Sequence, residues 1–382
     1  LPETAPIYLN NAATTWPKPE SVYAACDSAL RALGSPKRGP AADNGHCPLE
    51  AARGTIARFL GVPDPTRLLL QPGCTYALNL AILGQEWNAG DRIIMSSLEH
   101  HAVSRPVRKL ARERGIEFAL APYSPSDPFD LAWLEAELGK GGVKMVACSM
   151  ASNVSGHIMP VADVIRLAHG HGALALLDGA QAVGHLPVSV AELGCDLLSF
   201  AGHKGMLGPT GVGGLWVAPH LSLNTMAEGG TGGDSGKHPL SGSMPSSYEV
   251  GTLNLPSIVG LAAGLEWINA KGQAALLAHE HTLVGRLIDG LLGIKGLTIH
   301  GPTDPAKRTA AVSFTIEGHE PRALAAALAE KNIFGRAGYH CAPLAHETLG
   351  TLAGGGTMRL SPGCFSTEAE IDSALAALHA SL

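Results

Sequence analysis

Short apolar runs alternate with helix-patterned stretches along this chain, and that alternation limits the fold more than any other feature. Arg67 to Leu70, Arg92 to Met95, Ile116 to Ala121, Val143 to Ser149 and Ala173 to Leu177 read as strands. Thr75 to Leu83, Val103 to Arg114, Leu131 to Leu138 and Val161 to His169 read as helices between them. Such a pattern predicts a mostly parallel sheet with helices on both faces. Val212 to Val217 is a late strand expected to return antiparallel. With 382 residues and 46% hydrophobic content the chain can bury a large core, enough for one large and one small domain.

Beyond the first sheet the pattern changes. Gly229 to Ser247 is dominated by Gly, Ser and Pro and reads as a long mobile loop. Helices from Ile258 to Ala270 and Ala274 to Leu292 follow. Leu297 to Ile299 and Ala311 to Ile316 read as strands of a smaller C-terminal domain, with helices from Arg322 to Glu330 and Glu368 to His379. The expected division is an N-terminal arm at 1–25 belonging to the small domain and the site's edge, a large domain at 26–257 and a small α+β domain at 258–382.

Composition excludes several classes. Net charge is −6 with the two signs interspersed and no polybasic run, which argues against nucleic acid or an anionic membrane as a partner. No apolar run is long enough to span a membrane. The start, Leu1-Pro2-Glu3-Thr4, lacks a basic-then-apolar signal pattern and an initiator Met, so a processed or trimmed terminus is expected. Seven scattered cysteines, an odd number with no C-x-x-C pair, argue against a disulfide framework or a metal site. A reducing cytoplasm is the expected setting.

The chemistry concentrates where strands end. Leu176-Leu177-Asp178-Gly179-Ala180-Gln181 breaks into a turn at its acid, and Leu198-Ser199-Phe200-Ala201-Gly202-His203-Lys204 does so twenty-six residues later at its lysine. In open α/β sheets ligands sit beyond the carboxyl ends of strands. A lysine that condenses with an aldehyde, and a carboxylate that keeps a pyridinium nitrogen protonated, suit pyridoxal 5'-phosphate (PLP). Either segment alone reads rather as a helix cap, a turn or a solvated loop.

Taken together, at this spacing, the two segments resemble the class V, fold type I, PLP-dependent aminotransferase family, and within it the cysteine desulfurases. The resemblance runs from Ile7-Tyr8-Leu9-Asn10-Asn11-Ala12-Ala13 to Met358-Arg359-Leu360-Ser361. It implies that Lys204 carries the cofactor and that Asp178 holds the ring nitrogen. Gln71-Pro72-Gly73-Cys74-Thr75 opens a helix whose free amides suit a phosphate, and the family places the phosphate at Cys74 and Thr75. His100 would stack on the ring and shuttle protons, whereas His101 reads as part of the helix start. Asn153 corresponds to a ring-hydroxyl contact, Gln181 to a second hydroxyl or Schiff-base contact, and His203 to a phosphate ligand. Thr252, in Glu249-Val250-Gly251-Thr252, corresponds to a residue reaching the partner's phosphate, which implies an obligate homodimer. Cys74 and Ala201 depart from the hydroxyl residues common in the family and could cost phosphate hydrogen bonds.

The substrate end follows the same resemblance. Arg359 corresponds to the residue that grips a carboxylate with its guanidinium fork. Asn11 and Arg38 are further substrate-side candidates. Arg336-Ala337-Gly338-Tyr339-His340-Cys341-Ala342 resembles the R-x-G-x-H-C-A of the SufS-like (group II) desulfurases. There the thiol accepts sulfur as a persulfide, and Arg336 and His340 are the neighbours able to favour its thiolate. The implied activity converts L-cysteine to L-alanine, with a sulfur-acceptor protein as a further partner. Alternatives are a selenocysteine lyase or cysteine-conjugate C–S lyase, in which Cys341 matters less, and a class V aminotransferase or racemase, in which it has no chemical role.

Overall fold

A computed structural model describes residues 5–32, 47–231 and 243–382. Arg38 and most of the Gly/Ser/Pro-rich stretch therefore lie outside the described residues. The main sheet has seven strands in the spatial order Leu68–Gln71, Gly213–Val217, Leu197–Ala201, Leu174–Asp178, Val143–Ser149, Arg92–Ser96 and Glu117–Ala121. The last five run parallel; Gly213–Val217 is antiparallel to both neighbours, as its position late in the alternation suggested. Apart from the edge strand Glu117–Ala121 these strands are almost wholly buried, which explains why they are continuous apolar runs rather than alternating ones. The fold is the expected α/β architecture of PLP-dependent transferases of fold type I.

Helices cover both faces. Leu49, Ile56, Val164, Ala168, Leu261 and Leu265 join one core cluster, and Ala77, Leu78, Val103 and Val107 join the cluster on the opposite face. Helix bounds fall within three residues of the sequence reading: Cys74–Leu83, His101–Arg114, Leu131–Leu138 and Val161–Gly170. Helices Glu20–Arg31 and Pro48–Phe59 went unread.

A second, four-stranded antiparallel sheet has the order Arg336–Gly338, Thr357–Leu360, Val312–Ile316 and Leu297–Ile299. Its core holds Val312, Phe314, Met358 and Leu360 against Leu283, Leu287, Leu324 and Ile371. The helices Leu255–Lys271 and Gln273–Leu292 join the two units through Gly272, at φ 84°. Ile7–Tyr8 pairs in parallel with Ile333–Phe334, so the N-terminal segment is fastened to the smaller unit.

One ion pair pins the segment that precedes Thr252. Arg53 is fully buried and donates to both Glu249 oxygens, at 2.6 and 2.8 Å, and to the Leu68 carbonyl at 2.7 Å. Glu249 in turn accepts the Leu70 amide at 2.7 Å. Half-exposed Glu50 also accepts from Arg53 Nε at 2.9 Å, so loss of Glu249 leaves the buried guanidinium with only a partly solvated partner. Glu249→Ala is therefore expected to lower the unfolding free energy by about 3–5 kcal/mol, measured by denaturant titration at constant pH.

Candidate active site

The strands of the main sheet deliver their polar residues to one edge. A cavity of about 420 Å³ lies there, walled by Gly73–Thr75, His100, Asn153, Asp178, Gln181, His203 and Lys204 from the larger unit, and by Arg336, Cys341 and Arg359 from the smaller one. Ala12 and Ala13 close it from the N-terminal segment.

Asp178 ends its strand and is 5% exposed. Burial raises its pKa, against the amide of Ala180 at 2.9 Å and the nearby charge of Lys204. Lys204 follows the next strand along, whose Ser199 is in register with Asp178. Desolvation lowers the Lys204 pKa, which Asp178 partly offsets. The lysine's backbone is braced from the N-terminal segment: Thr15 Oγ1 donates to its carbonyl at 3.1 Å, and Lys18 Nζ donates to the His203 carbonyl at 2.9 Å.

Gly73 precedes the helix Cys74–Leu83, and its carbonyl takes the Tyr76 and Ala77 amides at 3.1 and 3.2 Å. The earlier amides of Cys74 and Thr75 are then the helix's free donors, suited to an anion. Gly213 makes this approach possible: a Cβ there would sit 2.8 Å from the Cys74 nitrogen and 2.5 Å from the Phe200 carbonyl oxygen. The Cys74 side chain points away from the phosphate role expected of that position. Its sulfur lies within hydrogen-bond reach of Asp178 Oδ1 at 3.5 Å and Ser199 Oγ at 3.3 Å, and burial raises its pKa well above the usual range.

His100 is both cap and cavity wall. Its Nδ1 accepts the Ala102 amide at 3.0 Å, capping the helix His101–Arg114. A ring nitrogen that accepts carries no proton, so the neutral ring carries its proton on Nε2. Burial, then Lys204 and other cations, push its pKa down to about 3. His203 has an unpartnered, buried Nδ1, and burial takes its pKa to about 4. Beneath His100, Glu99 is completely buried and accepts from Ser96 Oγ and from the Ser149 amide and hydroxyl at 2.6–2.7 Å. The sequence reading gave Glu99 no role; its signal was an acid standing among apolar and serine residues.

At the other end, Arg359 lies in the strand Thr357–Leu360 and is 1% exposed. Nη1 donates to the Asn153 carbonyl at 2.7 Å and Nη2 to Asn10 Oδ1 at 3.3 Å, while Nε has no partner. Burial, then the charge of Arg336, lowers its pKa to about 9. The expected helper Asn11 is not in the cavity. Its amide donates to the Tyr8 and Ser361 carbonyls at 3.3 and 3.0 Å, and its Oδ1 accepts Trp16 N at 3.1 Å. The preceding residue, Asn10, is the one that meets Arg359.

Asn153 donates to the His340 carbonyl at 2.7 Å and Gln181 to the Ala12 carbonyl at 2.8 Å. Thr252 is exposed and lines an apolar cleft with Tyr248 and Leu253; this cleft adjoins the cavity, sharing Pro72, Tyr76 and Gly211 with it, but Thr252 is not among the cavity's own walls. Cys341 is exposed at the cavity rim, with Arg336 Nη2 3.7 Å from its sulfur. The His340 ring turns away from the thiol and pairs with Thr357 Oγ1 at 3.0 Å. Of the seven cysteines, only Cys74 and Cys341 reach the cavity, and only Cys341 is exposed.

The family profile of class-V aminotransferases matches residues 7–374. A probable cysteine desulfurase of Mycolicibacterium paratuberculosis is 35% identical over 85% of this chain; the chain spans about half, 47%, of that relative's length. A probable cysteine desulfurase of Pseudomonas aeruginosa is 36% identical, covering 87% of this chain and 82% of the relative. The apo structure of a cysteine desulfurase from Thermococcus onnurineus NA1 superimposes with a TM-score of 0.90 at 30% identity, over 98% of this chain and 94% of that one.

The native His100 ring takes a proton only near pH 3, whereas an unfolded histidine takes one near pH 6.5. Between those values the unfolded state binds more protons, so His100 withdraws stability as pH falls below about 6.5. Nitrogen NMR of the cofactor-free protein is expected to show the proton on Nε2 of His100 and no titration between about pH 5 and 8. A ring titrating near 6.5 would mean a solvated histidine instead.

Proposed function

The chain belongs to the class-V aminotransferase family, and we propose that it works there as a PLP-dependent cysteine desulfurase, converting L-cysteine to L-alanine with the sulfur taken onto Cys341. One observation carries this reading beyond the family: the exposed thiol stands on the rim of the cavity that also holds Lys204, Asp178 and Arg359.

The donor set fits the cofactor. The Cys74 and Thr75 amides and the unpartnered His203 Nδ1 would hold its phosphate. Asp178 would face its ring nitrogen, Lys204 would bind its aldehyde, and Gln181 and Asn153 line the cavity beside them. When bound, PLP supplies an electron sink that weakens bonds at the substrate's α-carbon.

The remaining chemistry belongs to the chain. Arg359 orients the substrate through its α-carboxylate, whose charge would offset the cost of the buried guanidinium. Lys204 Nζ, with its lowered proton affinity, takes and returns the α-proton. His100 presents an Nε2–H donor at the cavity wall. Cys341 Sγ attacks the substrate sulfur; the S–S bond forms, the substrate's Cβ–S bond breaks, and the carbon gains a proton to leave as alanine. L-cysteine and one thiol give L-alanine and one persulfide, with no outside oxidant. Thr252, placed in the apolar cleft, would serve the phosphate of a second copy, so the working unit is a homodimer with shared sites. A sulfur-acceptor protein would then discharge Cys341.

Two variants test this. Cys341→Ala is expected to bind PLP normally while persulfide formation and alanine release fall by orders of magnitude. Alanine production from cysteine at the wild-type rate would give the C–S lyase reading instead. Arg359→Ala removes the carboxylate grip, worth about 2–5 kcal/mol at a buried site. Catalytic efficiency on L-cysteine is expected to fall at least about thirtyfold, with the bound-cofactor spectrum retained. Near-normal kinetics would place the carboxylate elsewhere.

A further inference from the structure

The turn that carries Cys341 is held in a backbone conformation that needs support. His340 and Cys341 both lie in the left-handed region, at φ 48° and 58°, which L side chains rarely adopt. Two tethers to the larger unit fix the turn. The Cys341 carbonyl accepts the His101 amide at 2.9 Å, and the His340 carbonyl accepts Asn153 Nδ2 at 2.7 Å. The second is the tighter of the two and comes from a side chain that is 8% exposed. The backbone carbonyl of the same asparagine accepts Arg359 Nη1 at 2.7 Å.

One residue of the larger unit therefore contacts Arg359 directly and the residue that precedes Cys341. We propose that Asn153 is a positioning residue that clamps the His340 carbonyl, holding the Cys341 thiol at a fixed distance from the Arg359 guanidinium. This role rests on the reading of Cys341 as sulfur acceptor and goes beyond the cofactor contact expected for Asn153 from its sequence. A substrate held by its carboxylate at Arg359 presents its sulfur at one place, and the clamp keeps the attacking thiol there. Loss of the donor leaves the His340 carbonyl unpaired and frees the left-handed turn to relax.

The test uses Asn153→Ala, with samples matched for bound PLP. Hydrogen–deuterium exchange is read on peptides covering Arg336 to Pro343 and the His101 amide. Single-turnover persulfide on Cys341 is read by mass spectrometry after L-cysteine is added. Exchange in both segments is expected to rise about tenfold, as for loss of one buried hydrogen bond, and persulfide formation to slow by a similar factor. Asn153→Asp, which keeps the shape and removes the donor, replaces the alanine variant if that fails to fold. Exchange within twofold of wild type overturns the clamp, whatever the persulfide rate. Faster exchange with an unchanged persulfide rate overturns its part in sulfur transfer. A wild-type protein that forms no persulfide on Cys341 defeats the desulfurase reading instead, and exchange alone then decides the clamp.

Discussion

Two neighbouring parallel strands, Leu174–Asp178 and Leu197–Ala201, carry their polar ends to one edge of the sheet, with Asp178 opposite Ser199, and the cavity depends on that register. Asp178 sits opposite Ser199, so the turn that follows brings Lys204 round to face the carboxylate. Neither group would be retained in a core without the other. Burial disfavours both charges, and each partly offsets the penalty of its neighbour. The Cys74 thiol and Ser199 complete the floor beneath Asp178, and Gly213, the first residue of Gly213–Val217, lets the helix N-terminus settle onto the sheet.

Charge balance explains what the cavity can accept. Lys204, Arg336 and Arg359 stand against the single carboxylate of Asp178, while His100 and His203 are kept neutral by burial. The surplus is positive and is divided between two ends: amides and His203 at one, Arg359 at the other. A ligand with a phosphate at one end and a substrate carboxylate at the other neutralises both. Keeping His100 neutral preserves its Nδ1 as the acceptor of the Ala102 amide, which fixes the ring proton on Nε2, beside cations that would repel a protonated ring. Glu99, with its pKa raised to about 7 by burial, sits behind that ring and ties Ser96 to Ser149 across adjacent strands.

The smaller unit supplies the groups that meet substrate, and it was harder to read. Leu297–Ile299 and Val312–Ile316 carry enough β-branched and aromatic residues to be legible. Arg336–Gly338 and Thr357–Leu360, which carry Arg336 and Arg359, were known only as motif positions. They are three or four residues long, are flanked by glycines, and take their strand character from pairing with each other and with Val312–Ile316. Asn11 shows the limit of motif transfer: Asn10 bridges Ser361 and reaches Arg359, whereas Asn11 opens the turn that Ala13 N closes on the Asn10 carbonyl, and its amide bonds the Tyr8 and Ser361 carbonyls.

The sequence by itself determined the alternating strands and helices, the strand ends at which Asp178 and Lys204 stand, and the family. All of these are local: they follow from apolar run length, turn residues and spacing, which the chain states without reference to distant parts. The tertiary structure decided which groups meet. It placed Thr14, Thr15 and Lys18 under the backbone beside Lys204, gave the Cys74 thiol to Asp178, made His100 a cap as well as a wall, and set Asn153 between Arg359 and Cys341. Each of these contacts is a hydrogen bond whose partner is chosen by packing of the two cores, and periodicity along one segment carries no information about it.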